Sequence, residues 1–134
     1  MEHSKHILVV ANRSVATPAL LEEIERRSTA EACAFSLLIP DAADDSVAEW
    51  TLEHAIPLVS RAAGAPVSGM LVHARDPYDA IAEALRAEAF DEVVISTLPR
   101  SRSRWLRRSL PRRVARLGVP VSVVTPEGEP LLHV

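Results

Sequence analysis

The sequence predicts one α/β domain in which a parallel β-sheet is covered by helices on both faces. Five short segments are rich in Val, Ile and Leu, and stretches with the spacing of amphipathic helices separate them. Strands that alternate with helices pair in parallel through right-handed crossovers, which distribute the helices over both faces of the sheet. A chain of 134 residues that is 48% hydrophobic and 25% charged fits one compact globular domain of this kind.

The apolar segments are the expected strands, and the first and the fourth of them are almost continuously apolar. Such runs are typical of strands that are buried on both faces. Cys33 is the only cysteine and lies in the second segment, where it is expected to be a small core residue. The five segments are residues 6–11, 32–40, 68–74, 92–97 and 119–125.

Two of the four expected helices begin with the same signal, a capping residue followed by proline at the first helical position. The two pairs are Thr17-Pro18 and Asp76-Pro77.

The other two helices are predicted from their apolar spacing. One covers about residues 46–63 and contains Pro57, which is expected to kink it. The last helix is expected where Leu110, Val114 and Leu117 recur on one face.

Residues 100–116, which we call the arginine segment, carry eight of the fifteen basic groups and no acidic residue, although the formal net charge of the chain is −3. The segment is expected to attract anions locally. The arginine segment is also explained as a solvated surface whose arginines pair with acidic residues elsewhere in the chain, because exposed ion pairs need no function. Nucleic acid is a weaker candidate, since only Trp105 is available for base stacking and packing against the sheet explains this residue more readily.

Several classes of protein are disfavoured by what the sequence lacks. The longest apolar run covers residues 7–11, far below the roughly 20 residues that a membrane helix needs, so a cytoplasmic location is expected. The histidines are scattered without ligand spacing, so no metal site is expected. Because there is also no Gly-x-Ser-x-Gly elbow, no Walker loop and no Cys/His pair, we expect no enzyme activity.

Candidate ligand contacts follow the expected strands. In open parallel sheets, ligands bind outside the carboxyl ends of the strands, where the direction of winding reverses. Asn12 and Ser14 come directly after the first strand and are candidates on this ground, although they also suit a simple turn and helix cap.

Three segments, in this order and spacing, resemble the universal stress protein family. Residues 73–99 are similar to the family's run of a strand, Gly-Asp-Pro, an amphipathic helix and an Asp-x-Ile-Val-x-Gly strand. Residues 112–124 resemble its last helix, Cys-Pro-Val turn and final strand, and ILVVANRS at residues 7–14 stands where the family reads Ile-Leu-Val-x-x-Asp-Gly-Ser. The resemblance covers nearly the whole chain.

This resemblance implies an open five-stranded parallel sheet in the order 3-2-1-4-5, Rossmann-like and similar to the adenine nucleotide alpha hydrolases. Residues 1–126 are expected to form this domain and residues 127–134 a C-terminal tail. The resemblance also implies a homodimer that pairs through the last strand, residues 119–125, and in many members an ATP site on a Gly-x2-Gly-x9-Gly-Ser loop.

The sequence departs from the family at that loop, whose four defining positions fall on Ser96, Pro99, Ser109 and Leu110. Glycine permits positive φ and close approach of the backbone to phosphates, whereas Pro99 fixes φ and lacks an amide donor. Asn12 stands where the family has the acid that contacts the nucleoside. The resemblance therefore implies a nucleotide site that is weakened or lost.

The first functional hypothesis is a non-catalytic stress-response module that still binds a phosphate-bearing ligand, with ATP or another adenine nucleotide as the candidates. Arginine side chains rather than main-chain amides would hold the phosphate. The candidate contacts are Asn12, Ser14, Ser96, Thr97, Pro99, Arg100, Ser109, Leu110 and Arg112.

Two further hypotheses need no nucleotide. In one, residues 119–125 pair with the same strand of a second copy, and the tail either covers that edge or reaches a partner. In the other, the arginine segment is an anion- or polyanion-binding module that does not bind ATP, with an affinity that falls steeply with salt.

Overall fold

A computed structural model of the protein describes residues 4–11, 17–41, 45–74, 76–97, 103–125 and 132–133. The strands are β1 (Lys5–Ala11), β2 (Cys33–Asp41), β3 (Ser68–His73), β4 (Glu92–Ser96), β5 (Val121–Val124) and β6 (Leu132–His133). The helices are α1 (Pro18–Ala30), α2 (Asp45–Ala63), α3 (Pro77–Ala87), α4 (Arg104–Arg107) and α5 (Leu110–Ala115).

All six strands belong to one sheet, in the order β3-β2-β1-β4-β5-β6. The first five are parallel, so the predicted five-stranded order 3-2-1-4-5 is confirmed. The sixth strand is an addition that the sequence did not predict, and it pairs antiparallel with β5. The tail was expected either to cover the edge of the sheet or to reach a partner. Leu132–His133 lies on that edge.

The helices cover both faces of the sheet, as predicted, because successive strand residues point to opposite sides. In β1, Ile7 and Val9 pack in the core beneath α1 and α2, whereas Leu8 and Val10 pack in the core beneath α3 and α5. All four side chains are fully buried. Burial on both faces explains why this strand reads as a continuous apolar run.

The two predicted N-terminal caps are confirmed. Thr17 Oγ1 accepts the N–H of Leu20 at 3.4 Å, and Asp76 Oδ1 accepts the N–H of Tyr78 at 2.9 Å. In each helix, proline at the first position has no amide hydrogen to satisfy, so the cap serves the donors that remain.

The last predicted helix is shorter than expected. It ends at Ala115, and Leu117, predicted to face the core, is 42% exposed. Leu117 lies in the turn that follows α5, where its N–H donates to the carbonyl of Val114 and Gly118 has a φ of +93°. Residues 104–107 form a separate short helix, α4, that the sequence did not indicate.

A network of ion pairs closes the amino-terminal end of the sheet. Glu92, at the start of β4, lies 2.9 Å from Lys5 Nζ and 2.6 Å from Arg27 Nη1. Arg27 Nε also contacts Glu23 at 2.6 Å, and both carboxylates are buried. Burial by itself raises the pKa of Glu92, but the hydrogen bond from Lys5 and the charge of Arg27 outweigh it and lower that pKa. The network ties α1 to β1 and β4.

Candidate functional site

The reversal of winding lies between β1 and β4, which are adjacent in the sheet although β2 and β3 continue on the other side of β1. Ala11 at the end of β1 is paired with Ser96 at the end of β4, and Ser96 with Val124 of β5. The carboxyl ends of the three strands therefore meet at one edge. This is the position at which open parallel sheets bind ligands.

A continuous run of hydrogen bonds links this edge to the start of α5. Thr97 Oγ1 lies 2.7 Å from Ser103 Oγ, and both side chains are buried. Ser103 Oγ accepts the N–H of Leu106 at 3.1 Å, and the N–H of Ser109 donates to the carbonyl of Leu106 at 3.1 Å. The run fixes α4 and the residue before α5 to the end of β4.

Thr125 adds a further hydroxyl at the same edge. The N–H of Thr97 donates to the carbonyl of Val124 at 3.0 Å, which continues the β4–β5 pairing to the position of Thr125. Thr125 is buried, and its Oγ1 has no hydrogen-bond partner among the described residues. A hydroxyl at this position can donate to or accept from an additional polar group.

Ser109 adopts the left-handed backbone conformation, with φ 57° and ψ 37°, and its side chain makes no capping hydrogen bond. It is the only residue other than glycine with positive φ in the described parts of the chain. The left-handed conformation costs a side-chain-bearing residue about 1–2 kcal/mol. The turn into α5 thus has a backbone conformation that favours glycine, even though serine occupies it.

One arginine of the arginine segment is used inside the domain. Arg113 Nη2 lies 3.0 Å from Asp76 Oδ2, and its guanidinium lies 4.7 Å from the centre of the Tyr78 ring. The N–H of Tyr78 and the charge of Arg113 lower the pKa of Asp76. Trp105 is half-buried and packs against the core beneath α3 and α5, as predicted.

Other arginines of the segment are differently placed. Arg108, Arg112 and Arg116 are exposed, and none of their side chains has an ion pair with another described residue. Arg112 lies in α5, and Arg116 is the residue that directly follows this helix. Among its described side chains, the segment therefore contains one arginine held in the domain and three that face solvent.

The predicted site residues fall into three groups. Ser96 and Thr97 are buried together at the end of β4, whereas Ser109 and Leu110 meet at the start of α5, with the Leu110 side chain in the core and Arg112 exposed beyond it. The candidates that lie outside the described residues are Asn12, Ser14, Pro99 and Arg100.

Sequence reasoning missed Ser103 and Thr125. Ser103 stands three residues before Leu106, a spacing typical of a helix cap. It lies among arginines, however, and the charge of this segment rather than its capping pattern was the basis of the prediction. Thr125 follows β5 as Thr97 follows β4, and this equivalence is visible only once the two strands are paired.

In the part of the chain that the structure describes, no helix has the length and apolar content to cross a membrane. No cluster of three or more His, Cys, Asp or Glu side chains among those residues is placed to hold a metal ion.

Solved structures that the chain resembles include universal stress proteins. One from Archaeoglobus fulgidus, in complex with dAMP, is 17% identical with a TM-score of 0.65, over 92% of this chain and 99% of that one. Another, in complex with cAMP, is 17% identical with a TM-score of 0.66 over the same shares of 92% and 99%. A third, again from Archaeoglobus fulgidus, is 14% identical with a TM-score of 0.62, over 90% of this chain and 94% of that one. No family model matches the chain, and no curated protein matches its sequence.

Proposed function

Because the chain shares the fold of universal stress proteins, we propose that it is a non-catalytic stress-response domain that binds an adenine nucleotide weakly at the carboxyl ends of β1 and β4. The observation that carries the proposal is the left-handed turn at Ser109, which hydrogen bonds through Leu106 and Ser103 connect to the end of β4. The turn keeps the left-handed backbone conformation that glycine favours, although residue 109 is serine.

A nucleoside monophosphate is the proposed ligand class. Two of the structures with this fold hold dAMP and cAMP, which supports an adenine nucleotide with a single phosphorus. Serine at a left-handed position brings a side chain to a turn where glycine would leave the backbone open to phosphates. Loss of this access weakens binding most for a triphosphate, which needs several main-chain donors at once.

Thermal unfolding with AMP, ADP and ATP at millimolar concentration tests this function. A ligand at about 100 times its dissociation constant adds roughly 2.7 kcal/mol to the free energy of unfolding. We expect AMP to raise the melting temperature most and ATP least. Failure of all three nucleotides to raise it would remove the proposal.

Two variants at position 109 serve as a matched pair for this titration. Ser109→Gly keeps the left-handed turn, so the AMP-induced shift should be equal or larger. Ser109→Val disfavours the turn, because a β-branched residue rarely adopts positive φ, and the shift should shrink. Equal shifts in both variants would show that AMP binds elsewhere.

The proposal includes no catalytic step. Two of the hydroxyls at this edge, those of Thr97 and Ser103, are hydrogen-bonded to each other, and no histidine or carboxylate is among the hydrogen-bond partners of these two in the described residues. A hydroxyl without a neighbouring base is a weak nucleophile. We expect no release of inorganic phosphate when the protein is incubated with ATP, and release above that of a heat-denatured sample would contradict this.

The exposed arginines favour a second candidate function, binding of a polyanion by Arg108, Arg112 and Arg116. Neighbouring like charges repel one another, and a bound anion removes this repulsion. The probe is inorganic polyphosphate, whose affinity should fall steeply as salt rises. Arg112→Ser/Arg116→Ser should weaken binding, whereas the control Arg61→Ser/Arg86→Ser removes two exposed arginines from other helices and should not.

We propose further that a homodimer forms through residues 119–125 when β6 leaves the edge of the sheet, that the domain and its tail divide at residue 126, and that the protein is cytoplasmic. Val121–Val124 is the last parallel strand of the sheet, and β6 is the described strand that lies outside it. A second copy can therefore use this strand only if β6 moves aside.

A further inference from the structure

The outer edge of β5 is occupied by the chain's own C-terminal strand. Ser122 is paired with His133 and Val123 with Leu132, and the two strands run antiparallel. β6 has two residues, whereas β5 has four. β6 therefore pairs with two of the four residues of β5.

We infer that β6 and the β5 strand of a second copy are mutually exclusive occupants of this edge, so that the C-terminal strand controls self-association of the protein. The inference rests on the dimer proposed above and is independent of nucleotide binding. The surface is the backbone edge of Val121–Val124, and the partner is a second copy of this chain.

The orientation of β6 supports a second copy as the alternative occupant. It shows that the β5 edge accepts an antiparallel strand. Two identical strands that pair antiparallel are related by a two-fold axis, so each β5 offers the other the same edge and the assembly closes as a dimer. Such pairing joins the two sheets through main-chain hydrogen bonds from the alternate residues of β5 whose N–H and C=O groups point away from β4.

The side chains of β5 are also compatible with either occupant. Val121 packs in the core beneath α3 and α5, and Val124 in the core beneath α1 and α2, so they are covered from the two faces of the sheet. The edge itself presents mainly backbone N–H and C=O groups, which any strand can satisfy. Exchange of β6 for a second β5 therefore leaves the core of the domain in place.

Tethering explains how a two-residue strand competes with a longer one. Six residues connect Leu132 to Thr125, and a short connection holds a segment near its site at an effective concentration of millimolar order. A second copy at micromolar concentration is about a thousandfold more dilute. The covalent connection therefore offsets the smaller number of hydrogen bonds, and loss of β6 pairing shifts the balance towards the dimer.

The test is sedimentation velocity on the full-length chain and on Leu132→Pro/His133→Pro. Proline lacks the amide donor and is excluded from most strand pairings, so this variant should lose β6. The control Leu132→Ala/His133→Ala keeps both backbone amides. We expect the parent and the alanine variant to be monomers at micromolar concentration, and the proline variant to associate as a dimer with a dissociation constant lowered about tenfold or more.

Three outcomes would overturn the inference. In the first, the proline variant stays monomeric. In the second, the parent dimerises as tightly as the proline variant. In the third, the parent is a dimer and the proline variant is a monomer, which indicates that the dimer forms by exchange of β6 between copies. Hydrogen exchange at Val121 and Val123, whose amides face away from β4, provides a second measurement, since their protection should rise with concentration only in the proline variant. AMP should shift the melting temperature of both proteins alike, so failure of nucleotide binding is distinguishable from failure of this inference.

Discussion

The hydroxyl oxygens of Thr97 and Ser103 lie 2.7 Å apart in a buried contact between the end of β4 and the residue before α4. Ser103 also accepts the N–H of Leu106, so it serves two partners whereas Thr97 contributes one contact to this run. The contact holds the segment after β4 against the sheet.

Removal of either hydroxyl should therefore destabilise the domain unequally. Ser103→Ala leaves the Thr97 hydroxyl and the Leu106 N–H without this partner, so we expect a loss of about 1–3 kcal/mol. Thr97→Val should cost less, because Ser103 keeps its bond to Leu106. Chemical denaturation of both variants and of the double variant measures the coupling, expected at about 0.5–1.5 kcal/mol. Additive effects would contradict the contact.

The left-handed turn at Ser109 predicts a stabilising substitution. Ser109→Gly should raise the free energy of unfolding by about 0.5–1 kcal/mol, since glycine adopts positive φ without the penalty that serine carries, although it loses more entropy on folding. The control is Ala115→Gly in the ordinary helical backbone of α5, which should destabilise by about 1 kcal/mol. A destabilising effect of both substitutions would argue against the left-handed turn.

The ion pairs of Glu92 predict loss of stability in acid. Because its pKa is lowered in the folded protein, the carboxylate stabilises the fold above its ordinary value of 4.5, and this contribution is lost as the pH falls through the lower, folded-state pKa. Glu92→Gln should cost about 3 kcal/mol at neutral pH, at the low end for a broken buried pair because Glu23 still neutralises Arg27.

Denaturant unfolding between neutral pH and pH 3 measures this effect. The difference in stability between the parent and Glu92→Gln should narrow below pH 4.5. Glu83→Gln, which removes an exposed carboxylate from α3, should leave the pH dependence nearly unchanged. A difference between the parent and Glu92→Gln that is the same at every pH would exclude the ion pairs as its cause.

The helix cap and the ion pair that Asp76 forms should contribute separately to the free energy of unfolding. Asp76→Asn keeps an oxygen for the N–H of Tyr78 but loses the charge that pairs with Arg113, so it should cost less than about 1 kcal/mol. Asp76→Ala removes both and should cost about 1–2 kcal/mol more. Thermal denaturation distinguishes the two Asp76 variants. The control is Arg112→Gln, which alters an exposed neighbour of Arg113, and its free energy of unfolding should stay within about 0.5 kcal/mol of that of the parent.

Much of the fold follows from local features of the sequence. Continuous apolar runs identified β1 and β4, because strands buried on both faces need apolar residues at every position. The cap-proline pairs at Thr17 and Asp76 located the starts of α1 and α3 to the residue, because capping depends on neighbours within a few positions. Helical spacing alone was less reliable, and it placed Leu117 in the core although α5 ends before it.

The sequence by itself determined the alternation of strands and helices, since side-chain period and capping are properties of short segments. Only the tertiary structure decided which distant groups meet, among them Thr97 with Ser103 and Glu92 with Arg27. It also decided that Ser109 takes a left-handed turn and that β6 lies on β5. These features depend on strand order and register, where a few hydrogen bonds between residues far apart in the chain select one arrangement among many with similar local preferences.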